Sequence, residues 1–346
     1  MSDPVLELDD VRTHFRTPRG LARAVDGVSL RVERGATLGV VGESGSGKTV
    51  LARTVMGLLP PSVTIRSGTV RFDGHDISTT AAARPHWGSE MAMIFQDPMS
   101  SLNPVMRAGR QIGESLQLHR GLSRRDADAR AVEALRAVGI PEPERRARQY
   151  PHEMSGGMRQ RVMIAIALAC EPKLVFADEP TTALDVTVQA QILDVLAEQQ
   201  AAHGMSLVLV THDLGVVAGR TDEIAVMYAG RVVERATTKE LFASMRHPYS
   251  AALLASIPKL EDPKHTRLDA IPGRPPDIVA PEPGCAFAPR CSRAQPSCHT
   301  AAPALVEGTP GHWWACFFPL AAAGESVEPS PVLAPRRHIS DVKVGA

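Results

Sequence analysis

Eight consecutive residues, Gly42-Glu43-Ser44-Gly45-Ser46-Gly47-Lys48-Thr49, match G-x-x-x-x-G-K-[ST] in full. This is phosphate-binding chemistry. The glycines let backbone N–H groups turn inward around phosphate oxygens, where a Cβ would obstruct. A following helix would aim its positive N-terminus at the same charge. Lys48 is expected to reach the β- and γ-phosphates of a nucleotide, and Thr49 to place its hydroxyl on Mg²⁺. An acidic pair completes the hydrolytic set. Asp178 ends the apolar run LVFAD and suits Mg²⁺ held through water; Glu179 follows and can orient or polarise an attacking water. The two motifs predict a nucleotide hydrolase without saying what the energy serves.

Two further constellations carry chemistry. Ser155-Gly156-Gly157 opens an apolar helix and makes a second anion-binding N-terminus. Two chains facing head to tail could hold one nucleotide between the phosphate loop of one and the serine-glycine loop of the other. The plainer reading is an ordinary N-cap by Ser155. Four of the five cysteines, Cys285, Cys291, Cys298 and Cys316, fall in one late segment. None forms a C-x₂-C pair, so the zinc-ribbon pattern is missing. Four thiolates suit an iron–sulfur cluster or zinc, and free thiols in a small core are the third reading. With four cysteines present, His299 and His312 are not favoured as ligands. Cys170 lies on an apolar helix and reads as core.

The positioning elements can be read from the same sequence. Residues 5–11 and 28–32 read as short strands. TLGVVG at 37–42 is nearly all apolar, as for a strand covered on both faces of a parallel sheet. VLARTVMGLL is a helix ended by Pro60 and Pro61. GTVRFDG at 68–74 alternates like an exposed strand, and MAMIFQD at 91–97 is a buried one. From about 105 to 170 apolar residues recur at helical spacing, as in RAVEALRAVGI. KLVFADE and SLVLVTHD are buried strands joined by helical VTVQAQILDVLAEQQ, a parallel crossover. IAVMYAGRVVE at 224–234 reads as a hairpin turning near Gly230.

Composition sets the frame. Lys+Arg and Asp+Glu balance at 38 each among 346 residues, which argues against a general binder of nucleic acid or anionic lipid. The longest apolar stretch, near Val162–Cys170, is too short to span a membrane. The acidic start MSDPVLELDD has no signal-peptide pattern, so a soluble chain is expected. Of 28 prolines, 16 lie in residues 241–346. A helix-and-strand domain is therefore expected to precede a Pro-rich, cysteine-bearing appendage.

The linked motifs resemble the ATP-binding subunits of ABC transporters. GESGSGKT is similar to their Walker A loop, Gln96 in FQDP to the Q-loop glutamine, and SGGMRQR to the signature loop. LVFADEPTTALD resembles Walker B running into the D-loop, with Asp185 at the D-loop aspartate, and His212 in LVTHDL resembles the switch histidine. The resemblance covers about residues 5–240. It implies a P-loop α/β core with an antiparallel β subdomain and a helical subdomain at about 100–170. It implies ATP and Mg²⁺ as ligands, with Thr49, Gln96 and Asp178 on the metal, and Glu179, His212 and Gln96 as catalytic groups. Phe15 resembles the aromatic that stacks on adenine; a strand-end Phe in the core is the plainer reading. Met158 departs from the glutamine that most members carry, and could not make the same polar contact.

SGGM, TTALDVTVQAQIL, FQDPMSSLNP and HPYSAALLASIP resemble one subgroup, the D-type ATPases of dipeptide and oligopeptide importers. Nickel importers share much of this pattern, and a soluble non-transport ABC ATPase is the alternative of another class. The resemblance implies a second, different ATPase subunit, two membrane permease subunits, an external peptide-binding protein, and a place at the cytoplasmic membrane face. Some members hold a [4Fe–4S] cluster on similarly placed cysteines. The expected organisation is a nucleotide-binding domain at 1–245, a small loop-rich cysteine domain at 246–320 and a mobile tail at 321–346.

Overall fold

A computed structural model describes residues 3–182, 185–257, 271–321 and 326–333. In chain order the elements are β1 (Pro4–Thr17), β2 (Gly20–Glu33), β3 (Thr37–Val41), α1 (Lys48–Val55), β4 (Thr64–Phe72), β5 (His75–Asp76), α2 (Thr80–Ala83), β6 (Met91–Ile94) and α3 (Pro98–Ser101). Then come α4 (Ala108–Arg120), α5 (Arg124–Ala137), α6 (Pro143–Arg146), α7 (Gly156–Leu168), β7 (Leu174–Asp178), α8 (Val186–His203), β8 (Ser206–Thr211) and α9 (Leu214–Val217). The last are β9 (Glu223–Tyr228), β10 (Arg231–Thr237), α10 (Thr238–Ala243), α11 (Pro248–Ala255), α12 (Pro296–Thr300), β11 (Val306–Thr309) and β12 (His312–Trp314). The chain falls into two compact units, each built from separate stretches of sequence.

One unit comprises Met1–Val5, Val32–Thr37 and Thr79–Val210. It holds parallel strands β6, β7 and β8, in the register Met91↔Leu174 and Leu174↔Ser206. Every residue of these strands is buried, which is why their sequences are unbroken apolar runs rather than alternating ones. Helices α4, α5 and α7 pack together beside them. Their ends follow local chemistry. Ser123 caps α5 by accepting the Asp126 N–H at 3.2 Å, and Gly121 ends α4 in the left-handed conformation.

The other unit comprises Leu6–Arg31, Leu38–Ser78 and Thr211–Ala346. Its first sheet is antiparallel, in the order β2-β1-β4-β5. Residues 5–11 and 28–32 are the outer ends of two much longer strands of 14 residues each, not short separate ones. The alternation read in GTVRFDG is present in β4: Val70 and Phe72 are buried while Arg71 between them is exposed. In the same unit β3 pairs parallel with β9, and β9, β10, β12 and β11 follow antiparallel. The β9–β10 turn is Ala229-Gly230, both at positive φ, the mirror-image turn that suits a twisted hairpin. Trp314 of β12 is fully buried opposite Glu234 of β10.

The expected tail, 321–346, is described in part. Residues 326–333 lie back along the cysteine region: the Ser330 N–H donates to the Cys316 carbonyl at 2.9 Å, and the Leu333 N–H to the Ala302 carbonyl at 2.7 Å. Residues 322–325 and 334–346 lie outside the described residues. No described helix is long and apolar enough to cross a membrane.

Candidate nucleotide-binding site

The phosphate loop lies between β3 and α1. A Cβ at Gly42 would stand 2.2 Å from the Met227 carbonyl oxygen, and one at Gly47, whose φ is +103°, 2.1 Å from that of Ala24. Only glycine lets the loop approach these backbones so closely. Open space lies in front of Gly45, and no side chain caps the α1 N-terminus. The Ser46 carbonyl accepts the Gly230 N–H at 2.9 Å, tying the loop to the β9–β10 turn. Lys48 is buried, and its Nζ donates to the carbonyls of Gly42 at 2.6 Å and Glu43 at 3.0 Å. Ser44 is exposed and Thr49 half-buried. An uncapped helix start, an open glycine face and a lysine at the loop fit a string of phosphates.

The acidic groups sit in the other unit. Asp178 is buried at the end of β7. Glu179, next in line, has φ +47°, and its N–H donates to the Val210 carbonyl at 2.9 Å. Its Oε2 accepts from Thr182 Oγ1 at 2.8 Å and from Gln96 Nε2 at 3.1 Å. Gln96 and Glu179, 83 residues apart in sequence, thus meet. Ser155 is the N-cap of α7, accepting the Met158 N–H at 3.3 Å, so the plain capping reading is met. Ser155 and Gly156 are exposed, with open space in front of Gly156. Asp185 caps α8 by accepting the Val188 N–H at 2.9 Å; Ala183 and Leu184 of the D-loop lie outside the described residues.

In the phosphate-loop unit, His212 is exposed directly after β8. Phe15 is half-buried on β1, opposite Thr64 of β4. Two contacts were not anticipated. The Glu43 N–H donates to the Tyr249 hydroxyl at 2.7 Å, and the Glu43 carboxylate meets Arg290. HPYSAALLASIP had marked the region of Tyr249 for partner and cargo, but nothing in it signalled a hydroxyl under the phosphate loop. Arg290 carried no signal at all.

The four late cysteines line one small cavity of about 20 Å³, together with Phe287, Phe317 and Phe318. Burial pushes the thiols of Cys285 and Cys291 up, and that of Cys316 up to about 12. Among the described residues no three His, Cys, Asp or Glu are arranged to hold a metal ion. Neither the expected iron–sulfur cluster nor zinc, its alternative, finds a preformed ligand set among the described residues; zinc would need four sulfurs about 2.3 Å from one point. Cys170 is buried and its Sγ contacts the Ser115 carbonyl, as expected of a core residue.

The chain is similar to known proteins. A family model described as ABC transporter matches residues 25–182, and one described as the oligopeptide/dipeptide transporter C-terminal region matches 233–298. The Bacillus subtilis oligopeptide transport ATP-binding protein OppD is 50% identical over 293 residues, spanning 84% of this chain and 82% of that one. A probable peptide ABC transporter ATP-binding protein of Sinorhizobium fredii is 48% identical, spanning 91% and 95%. A solved ATP-binding cassette, a post-hydrolysis dimer bound to ADP and Pi, superposes with a TM-score of 0.61 at 27% identity, over 67% of this chain and 98% of that one. The chain belongs to the ABC transporter family, as an ATP-hydrolysing subunit. Its C-terminal region is that of the oligopeptide and dipeptide transporters.

Proposed function

We propose that this chain hydrolyses ATP to drive import of di- and oligopeptides through a heteromeric permease at the cytoplasmic membrane face. One observation carries the cargo: a single chain joins an ABC cassette at 25–182 to a peptide-transporter C-terminal region at 233–298. Its partners on this reading are a second ATPase subunit and two membrane subunits, with an external binding protein acting indirectly. The domain division is a nucleotide-binding domain over 1–245 and a cysteine domain over 246–320.

Each residue then has a role. Lys48 leaves the carbonyls of Gly42 and Glu43 for phosphate oxygens when ATP binds. Thr49, Gln96 and Asp178 hold Mg²⁺, which neutralises phosphate charge. Glu179 accepts a proton from the attacking water, and the Thr182 and Gln96 donors that meet its Oε2 fix which oxygen does so. His212 bonds the γ-phosphate, and Phe15 stacks on adenine. Ser155, Gly156, Gly157 and Asp185 serve the nucleotide of the facing subunit.

On this reading Cys285, Cys291, Cys298 and Cys316 would hold a [4Fe–4S] cluster, for which the cavity of about 20 Å³ would have to open. Four thiols on one cavity support this, and a cluster that spends one thiolate per iron does not need them gathered round a single point. Protein purified without oxygen should be brown; a colourless, iron-free preparation refutes the cluster. The transport reading is tested by deleting the chain and measuring uptake of labelled peptides and of nickel. Loss of peptide uptake alone supports it, and loss of nickel uptake alone replaces the cargo. Permease subunits should copurify with the chain; their absence would favour a soluble ABC ATPase.

A further inference from the structure

Arg290 donates a full set of hydrogen bonds from a nearly buried position. Its side chain is 3% exposed, yet all five of its N–H donors have acceptors. Nη1 meets Glu43 Oε2 at 2.6 Å and the Tyr228 hydroxyl at 3.3 Å. Nη2 meets Glu43 Oε1 at 2.9 Å and the Ile271 carbonyl at 3.2 Å, and Nε meets the Pro272 carbonyl at 2.8 Å. The pairing with Glu43 is bidentate, the geometry in which a guanidinium fixes a carboxylate in orientation as well as position. The hydrogen bonds that Arg290 donates to Glu43 and Tyr228 raise its pKa and keep it protonated.

Glu43 is the second residue of the phosphate loop, and it is gripped at three points. Arg290 holds its carboxylate, the Tyr249 hydroxyl accepts its N–H, and Lys48 donates to its carbonyl. Phe287 packs edge-on against Tyr228 and Tyr249, with ring centroids 5.4 and 5.3 Å away. Arg290 immediately precedes Cys291, at the end of a single 3-10 turn (Ala288–Arg290). The C-terminal region therefore reaches the nucleotide loop through one charged contact and a packed aromatic trio.

We infer that Arg290 is a positioning residue for ATP: through Glu43 it holds the phosphate loop in its binding shape. The loop's N–H groups point at phosphate only while its backbone keeps that curve, and pre-organisation of this kind raises affinity rather than altering the chemical step. The inference rests on the reading of residues 42–49 as the phosphate site.

The test is an ATP titration of the full chain with a fluorescent nucleotide, alongside steady-state hydrolysis and thermal melting. Arg290→Lys and Glu43→Gln keep polar groups in place but break the bidentate pair. Each should weaken ATP binding about tenfold, kcat of Arg290→Lys should stay within about twofold, and the double variant should be no worse than either single one. Arg290→Met should behave the same way; if it fails to fold, the two gentler variants still decide. Unchanged ATP affinity in Glu43→Gln, additive losses, or a lowered melting temperature without weaker binding would overturn the inference. Lys48→Ala separates the two readings. Retained ATP binding in that variant sinks the phosphate-site reading itself. Lost binding there, with normal binding in the Arg290 variants, sinks only the positioning role.

Discussion

Glu179 follows the buried strand β7 with φ +47°, a region that costs a non-glycine residue about 1–3 kcal/mol. Its carboxylate accepts hydrogen bonds from Thr182 and Gln96. Glu179→Gln should retain these neighbours and lose the base. Turnover is expected to fall by at least about 100-fold while ATP binding changes little, and normal hydrolysis in the variant would remove Glu179 from its assigned role. A second residue sets a pH response. His247 is fully buried, and desolvation lowers its pKa from 6.5 to about 4. Its Nδ1 accepts the Tyr249 N–H at 3.0 Å, which only the unprotonated nitrogen can do. The unfolded chain takes up the proton first, so stability is flat above about pH 6.5 and falls as pH drops toward 4, by on the order of 3 kcal/mol in all. Urea midpoints at pH 7 and pH 4.5 should differ more for the parent than for His247→Asn. Equal differences would show that His247 does not titrate in this way. At this scale the catalytic loops were legible because they are contiguous and each position obeys one constraint. Arg290 was not, because it meets Glu43 across 247 residues of sequence, and no local pattern encodes such a contact.

Among the elements, buried strands and capped helices follow their sequences closely. β7 and β8 are read directly from unbroken apolar runs. The strand read at 5–11 stops at Arg12 and the one read at 28–32 begins after Asp26-Gly27, where charged residues and a glycine interrupt the apolar pattern of β1 and β2. The structure accounts for the interruption: Arg12 pairs with Asp10 at 2.6 Å, and the β1–β4 register shifts between Asp9 and Arg12. An irregularity of this kind breaks a period-2 pattern without ending the strand. Helix α5 gives a clean test of a cap away from the nucleotide site. Ser123→Ala should lower stability by about 1 kcal/mol, read by urea denaturation, and leave ATP hydrolysis unchanged. A loss of hydrolysis with unchanged stability would mean that the helix is not acting through its cap. At the β9–β10 turn, a Cβ on Gly230 would stand 2.8 Å from the carbonyls of both Arg23 and Ala24. Gly230→Ala should therefore displace the turn that donates to Ser46 and weaken ATP binding, measured by nucleotide titration.

Across the whole molecule the balance of 38 basic and 38 acidic residues hides strongly local arrangements. One is a buried polar knot in the C-terminal region. Glu234 accepts from the Arg246 and His247 N–H groups at 2.5 and 3.0 Å and pairs with His312 at 2.8 Å. The compositional break near residue 241 foretold an appendage, but not that its strand β12 would join the sheet through β10. That join depends on Trp314 and Glu234 meeting 80 residues apart, which prolines and cysteines do not report. The thiols give a whole-protein prediction. In protein stripped of metal, Cys316, its thiol near pKa 12, should react with maleimide at pH 7 far more slowly than a free cysteine. Mass-mapped labelling as rapid as that of glutathione would contradict this.

The docked stretch at residues 326–333 bears on how the protein can be cut. The Cys316 N–H donates to Ser330 Oγ at 2.9 Å, and Ser330 Oγ in turn donates to the Trp314 carbonyl at 3.1 Å. This segment holds the backbone of Cys316 from both sides, although it comes after that residue in the chain. A protein shortened at Leu320 would lose these bonds, whereas a nicked one would keep them by fragment complementation. A synthetic peptide spanning 326–333 should then rebind the shortened chain and restore its melting temperature.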